Sequence, residues 1–592
     1  MEKGMTNLVR LQTVLVPEIS YCQEKTVYFH ANDDESVIDF DGYFNLFYIE
    51  KHRKYTDING LVLHLELRGY EKLILMHDRQ AIAEYELENP SEIAICDYEF
   101  PYEQYDNGVF YFRLIRALGD TKAYVSGCYL GCAKEIRPAN VFVDICTYKR
   151  ETYVIRNMKR LTEFLDNEEK NGGDVKGNLH VGIIDNGRTL SGNAEMAELI
   201  ASNPYIKVYP NPNTGGAGGF TRGMKEALLQ KKELGLTHVL LMDDDASFDT
   251  EMFVRLFGIL RTLKEEYKDL TIGGALYRED FPFIQFASGE WFERFESINE
   301  MQNLDLRSYD ECTRKEMCST DGDGRSYSGW WCCCYSLDVV AEDNLPIPMF
   351  VHRDDIEYEV RCREMGNRIT FINGIGVWHK AFDSEFAGSK IYYDVRNSLI
   401  YSKIHEPEAV DWFFNVKLRK LMTGFLFNNR YPDMYLTYHG AMDFLKGKEW
   451  FDALDPEKNH KRVAEIAKKH SKYITLDELE KYGCENARVK AQDYIENGSS
   501  LDDILSDRNH QARKVPFIEK LTLNGQLLPA KKGAAVIIPY NKLWDTGYRY
   551  KKYLFVAKGN PGILYVRTNP LEAFNMVRMY LRVRIAYRHW LG

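Results

Sequence analysis

His238-Val-Leu-Leu-Met-Asp-Asp-Asp-Ala246 decides how this chain is read. The run from Val239 to Met242 is apolar at every position, the pattern of a strand buried on both faces of a parallel sheet. Three carboxylates follow it without a break. The alternate pair, Asp243 and Asp245, can converge on one hard cation. Magnesium and manganese prefer such oxygen ligands, and two carboxylates with phosphate oxygens suit an octahedral shell. The plainer reading is a solvated acidic strand end, but a solvated turn does not require three consecutive acids behind a buried strand.

Working outward, helix and strand patterns alternate. Residues 152–169 read as a helix, 180–185 as a buried strand, 206–209 as a short strand, 220–232 as a helix and 251–267 as another. This alternation predicts a parallel α/β sheet. Ligands of such sheets sit at the C-terminal strand ends, and Asp185 and Asp243 lie at two of them. Residues 1–150 differ in texture. Short runs at 26–30, 61–65 and 109–113, separated by polar and glycine-containing turns, predict a β-sandwich or jelly roll. That domain is either a scaffold or a carbohydrate-contacting module. Beyond about 405 the pattern is mainly helical, with candidate helices at 410–426, 456–470, 476–482 and 486–497.

Bulk properties narrow the class. A chain of 592 residues is too long for one core. A formal net charge of -12 excludes a global basic footprint for nucleic acid. Cys332, Cys333 and Cys334 are adjacent and poorly placed to bridge one another. The pairs Cys128/Cys132 and Cys312/Cys318 lack the C-x2-C spacing of a structural zinc site. Residues 1–18 lack the long apolar core of a signal peptide, and no apolar run approaches the roughly 20 residues that span a bilayer. A cytoplasmic protein is expected, with a homo-oligomer left open.

Four further constellations bear on chemistry. Asn211-Pro-Asn-Thr-Gly-Gly-Ala-Gly-Gly-Phe-Thr-Arg222 reads as a glycine-rich loop opening a helix, a setting that favours phosphate. It is neither a Walker loop nor G-x-G-x-x-G. Asp354 and Asp355 stand ahead of a helix. Either can serve as a general base, or Asp354 can cap the helix with Glu357 closing a capping box. His379, after an apolar strand, is a candidate third metal ligand or a structural histidine. Trp330 and Trp331 are a sugar-stacking wall or core packing.

Together these residues resemble the glycosyltransferase family 2 enzymes of GT-A fold, and among them the polymerising galactofuranosyltransferases of actinobacterial cell-wall galactan synthesis. The resemblance covers residues 150–400 by motif and the flanks by architecture. It implies an α/β fold with a central Rossmann-like GT-A domain at 151–405, an N-terminal β-sandwich at 1–150 and a mainly helical region at 406–592. It implies Asp243, Asp245 and His379 as ligands of Mn2+ or Mg2+, and Asp355 as base. Asp185, Asn213, Gly215, Gly216, Gly218, Gly219, Arg222 and Asp244 fall at the implied donor site. Trp330, Trp331, Asp354 and Arg396 fall at the implied acceptor site. The sequence departs from the family at three points. Glu357 replaces a third Asp, Asn211-Pro212 replaces a Gln-Gly step, and Asp394 stands where a His is expected. The implied reaction is an inverting transfer of galactofuranose, or another hexose, from a UDP-sugar to a glycan or polyprenyl-linked glycan. The rival reading is a non-catalytic carbohydrate- or nucleotide-binding protein.

The C-terminus adds one expectation. Residues 541–592 hold ten Lys and Arg against two acids. Asn569-Pro570-Leu571-Glu572 reads as a helix start. Met576, Met579, Val583, Tyr587 and Trp590 form one stripe, and Arg578, Arg582 and Arg588 lie on the other side. Such a helix suits the anionic inner surface of a membrane, or else the stripe packs internally.

Overall fold

A computed structural model describes residues 7–119, 122–382, 386–506, 516–539 and 547–591. Residues 1–6 of the N-terminal segment and 540–546 of the basic segment lie outside them.

The N-terminal part is a sandwich. One antiparallel sheet is ordered Asn7–Thr13, Tyr124–Ala133, Ile58–Arg68, Ala94–Phe100. The other is built on Val109–Arg116 and Tyr70–His77. Leu11, Leu63 and Leu65 from the first sheet meet Leu73, Phe110 and Phe112 from the second in one core. The strand expected at 26–30 is instead a 3-10 turn at Lys25–Val27 and a two-residue strand at His30–Ala31. Gly42 packs directly against this turn, where a Cβ would lie 2.3 Å from the Tyr28 nitrogen.

The centre is a mixed sheet. Its parallel half comprises β1 (Val141–Thr147), β2 (Leu179–Asp185), β3 (Ile206–Pro210) and β4 (His238–Asp243), in the order β3-β2-β1-β4. Beyond β4 the sheet continues through β6 (Cys332–Ser336), antiparallel to its neighbours, to β5 (Thr271–Arg278). The long β7 (Ile369–His379) then pairs in parallel with β5. Three helices cover this sheet: α1 (Glu151–Lys170), α2 (Gly215–Leu234) and α3 (Glu251–Thr262). α1 turns Val154, Met158, Leu161 and Leu165 inward at helical spacing.

α3 is buried almost throughout, because it is wedged between sandwich and sheet. Arg255, 1% exposed, donates to Phe44 O of the sandwich at 2.6 Å and Asn373 O of β7 at 2.8 Å. Gly258 gives the close approach, for a Cβ there would meet Arg10 O at 2.6 Å.

The C-terminal region is helical but also holds a four-stranded sheet, ordered Tyr473–Ile474, Ile563–Arg567, Lys552–Phe555, Ala535–Ile537. The helix expected at 476–482 is two 3-10 turns, ended by Gly483 at φ +57°. The last helix, Leu571–Leu591, buries Met579, Val583 and Tyr587 against the helical core, with Met576 and Trp590 beside them. The anticipated stripe therefore packs internally. A second apolar stripe, Phe574, Val577, Leu581 and Ile585, is exposed between the exposed Arg578, Arg582 and Arg588. No helix among the described residues is long and apolar enough to cross a membrane.

One buried group opposes the fold. Asp144 of β1 lies beneath α2 with neither carboxyl oxygen hydrogen-bonded. Burial lifts its pKa well above the carboxylate range. A group whose pKa rises on folding takes up a proton as the chain folds. It therefore costs nothing below an unfolded pKa of about 3.9 and destabilises increasingly as pH rises above it. Asp144→Asn should unfold near the wild-type temperature at pH 4 and several degrees above it at pH 8. Calorimetric scans across that range check this, and parallel pH profiles for the two proteins would refute it.

Candidate functional site

The end of β4 carries Asp243 and the turn after it carries Asp244 and Asp245. The end of β7 carries His379. Asp243, Asp245 and His379 each offer one ligand atom within 4.8 Å of the others. Backbone pairing fixes this: Ser247 and Trp378 exchange two hydrogen bonds of 2.7 Å, which clamps the acidic turn to the strand bearing His379. The Nδ1 of His379 donates to Lys380 O at 2.6 Å, which leaves Nε2 as the ring nitrogen that faces Asp245 Oδ1 at 3.2 Å. That contact is not aligned as a hydrogen bond, and Asp245 Oδ1 is buried without a partner.

The electrostatics concentrate negative charge at this point. Burial pushes Asp243 up to about 7, helped by Asp245 and Asp244 and opposed by His379. Burial would lower His379, but its contact with Asp245 and the charge of Asp243 outweigh that and lift it to about 9. A proton on the imidazole takes the place of a cation's charge. Two carboxylates, an imidazole set in its ligating tautomer and an orphaned carboxylate oxygen fit Mn2+ or Mg2+.

Asp244 points away from this cluster. Its oxygens accept from Thr147 Oγ1 at 2.6 Å and Arg150 at 2.9 Å, while Arg150 also reaches Asp245 at 2.6 Å. Asn157 of α1 donates to the carbonyls of Asp244 and Ala246, fixing the turn from behind. The sequence reading missed Thr147, Arg150 and Asn157. The available signal was position: β1 is the parallel neighbour of β4, so residues just past its C-terminal end must line the same cleft.

The glycine stretch is no loop. α2 begins at Gly215, and Gly219 and Gly223 lie on the sheet side of the helix. A Cβ at Gly219 would sit 2.1 Å from Cys146 Sγ, and one at Gly223 2.0 Å from Asp144. These two glycines let the helix approach β1. Gly218 is filled by the Thr214 side chain, and Gly216 alone of the four predicted glycines has open space before it. Gly215, at φ +71°, lies against Phe350 O. Asn213 accepts from the Gly215 amide at 3.2 Å, and Arg222 pairs with Glu226 on the same helix. Asp185 is fully buried, and its two oxygens accept from the Gly187 and Leu190 amides. It shapes the turn after β2 and presents no free oxygen.

The second acid pair opens α4 (Asp354–Glu364). The helix N-cap is Arg353, at φ +69° and without a side-chain cap bond. Glu357 pairs with Arg361 at 2.9 Å and His405 at 3.4 Å, so the capping box does not form. Asp354 is buried and pushed up to about 8, by desolvation first and by the Asp355 and Asp243 charges after it. Asp355 is half-buried and also raised by burial, opposed by the Ile356 amide and the charges of Arg353 and His352. The charge of Asp243 acting on Asp354 ties this helix start to the metal-type cluster.

The two tryptophans separate. Trp330 is buried among Phe220, Tyr335 and Tyr358, with its Nε1 donating to the Tyr335 hydroxyl at 2.9 Å. Trp331 is half-buried, and its carbonyl receives the Asp243 amide at 3.2 Å. Arg396, 1% exposed, is spent on Met349 O and Asn397. Glu290, which the sequence reading missed, accepts from Tyr327 at 3.0 Å and Asn299 at 3.1 Å. Burial raises it to about 7, and it feels the charge of Asp355.

No protein-family model matches the chain. Galactofuranosyltransferase GlfT2 of Mycolicibacterium smegmatis is 24% identical over 442 residues, 70% of this chain and 65% of that protein. Galactofuranosyltransferase GlfT2 of Mycobacterium tuberculosis is 24% identical over 392 residues, 63% of this chain and 59% of that protein. The chain thus spans less than two thirds of the length of either curated relative. Among solved structures, mannosyltransferase PcManGT from Pyrobaculum calidifontis, in complex with GDP-Man and Mn2+, is 10% identical with a TM-score of 0.30, over 56% of this chain and 83% of that one. S. aureus TarS 1-349 is 12% identical with a TM-score of 0.32, over 56% and 88%. In sequence the chain resembles the galactofuranosyltransferases.

Proposed function

We propose that this chain is an inverting, metal-dependent glycosyltransferase that moves galactofuranose from its UDP conjugate to a hydroxyl of a glycan or lipid-linked glycan. One observation carries the reading: Asp243, Asp245 and His379, at the C-terminal ends of β4 and β7, each offer a ligand atom within 4.8 Å of the others. The names of the two curated relatives support galactofuranose, and another UDP-hexose is the second reading within the same chemistry.

Asp243, Asp245 and His379 would hold the cation. When bound, a divalent ion supplies Lewis-acid neutralisation of a diphosphate leaving group. Arg150 and the α2 start at Gly216 offer the donor a cation and open backbone. Asp355 accepts the proton of the acceptor hydroxyl. That oxygen bonds the anomeric carbon from the face opposite the diphosphate, the bond from that carbon to the diphosphate oxygen breaks, and UDP leaves with the electron pair. Burial raises the basicity that this step needs. We also propose that the enzyme sits at the periphery of an anionic membrane, through the exposed stripe of the last helix and the exposed Arg578, Arg582 and Arg588.

Three outcomes follow. Asp355→Asn should lose about a hundred- to ten-thousand-fold in turnover with donor affinity kept. Wild-type turnover in that variant would remove the base assignment. Asp245→Ala and His379→Ala should abolish manganese-dependent binding of UDP in calorimetry, and unchanged binding would exclude them as ligands. Replacing Phe574, Leu581 and Ile585 together by Ser should release the protein from anionic vesicles at low salt. Each nearby arginine adds about 1 kcal/mol to that attraction. Equal co-sedimentation of both proteins would assign the stripe elsewhere.

A further inference from the structure

Before α4 the backbone does something costly. Phe350, His352 and Arg353 all lie in the left-handed region, at φ +76°, +67° and +69°. Each such non-glycine residue is strained and persists only where its surroundings over-determine it. Here they do. Asn397 donates its amide to the carbonyls of Met349, Val351 and His352, and Arg396 donates to Met349 O. The Ala217 amide of α2 binds Phe350 O at 3.1 Å.

The strained segment presents His352 beside Asp355. The Nδ1 of His352 lies 2.7 Å from Asp394 Oδ1, and Arg353 flanks the same carboxylate at 3.5 Å. A carboxylate only accepts, so Nδ1 carries a proton, and in the neutral imidazole the lone pair is on Nε2. That Nε2 has no partner among the described residues, and the side chain is 28% exposed. The neighbouring Arg353 donates to Ser297 Oγ, Ser297 Oγ lies 3.2 Å from the Tyr327 hydroxyl, and that hydroxyl donates to Glu290. A half-open imidazole, aimed by a carboxylate and standing beside a carboxylate base, has the form of a hydroxyl-binding group.

We propose that His352, oriented by Asp394, is an acceptor-binding residue: its Nε2 accepts a hydrogen bond from a sugar hydroxyl next to the one that Asp355 deprotonates. This rests on the transferase reading above. It assigns Arg396 and Asn397 a positioning role, as the pins of the segment that carries His352.

The test uses the full chain with UDP-galactofuranose, Mn2+ and a synthetic octyl galactofuranosyl disaccharide. Asn tolerates the left-handed backbone well, so His352→Asn removes the reach of the imidazole without adding strain. It should raise the acceptor KM on the order of tenfold, while the donor KM stays within about twofold. His352→Gln, whose amide reaches further, should recover part of the loss. Asp394→Asn should raise the acceptor KM by a smaller factor. An unchanged acceptor KM in His352→Asn overturns the assignment. So does an equal rise in both KM values, which marks a merely structural residue. Absence of transfer by the wild type with any UDP-hexose overturns the transferase reading itself, and this proposal with it.

Discussion

The site is organised by the cost of holding Asp243, Asp244 and Asp245 together at a half-buried strand end. Two like charges 4 Å apart repel by about 4 kcal/mol at an effective dielectric near 20. The surroundings are built to offset this. Arg150 bridges Asp244 and Asp245, Thr147 donates to Asp244, and His379 is lifted to about 9 by the acids it faces. None of these satisfies Asp243, which burial keeps near 7, or the buried Asp245 Oδ1. The uncompensated negative charge lies where two carboxylates and an imidazole converge. The fold supplies the geometry: β7 runs eleven residues to bring His379 level with the acidic turn, and the Ser247–Trp378 pairing locks the two in register.

The strained segment at 349–353 joins the two halves of the site. Phe350 O receives the Ala217 amide and leaves no room for a Cβ on Gly215, so the α2 start and the α4 start share one piece of backbone. The α2 start and the residues that precede Asp355 are therefore held to one another through this carbonyl. The Arg396 and Asn397 bonds keep this segment in one conformation, and Arg396 is buried for that reason.

Periodicity made the sheet legible, because buried parallel strands write continuous apolar runs: His238 to Met242 and His180 to Ile184 reappear within β4 and β2. The acidic triplet and His379 were legible as candidates because each stands at the end of such a run. The glycine stretch was legible as a helix start, but the packing role of Gly219 was not, because a loop that cradles a phosphate and a helix that lies tight against a strand demand the same residue. Only Cys146 and Asp144 beneath Gly219 and Gly223 reveal the second demand, and both are distant in sequence. Trp330 and Trp331 show the same limit. They sit in the turn before β6, where Trp330 enters one core and Trp331 packs half-buried against another with its Nε1 donating to Gly274 O, and adjacency in sequence does not tell these environments apart.

The last helix carries this argument furthest. Its stripe from Met576 to Trp590 satisfies every criterion of an amphipathic face, and that face is inside the protein. A helix with one apolar stripe has then exhausted its apolar residues, and its remaining surface is polar. This helix has not: Phe574, Val577, Leu581 and Ile585 remain, all about half exposed or more, interleaved with arginines. Internal packing cannot account for them, because the other side of the helix already supplies the packing. The sequence rule asks whether an apolar stripe exists. The physical question here is how many there are, and the second stripe is the one left to face something other than this chain's own core.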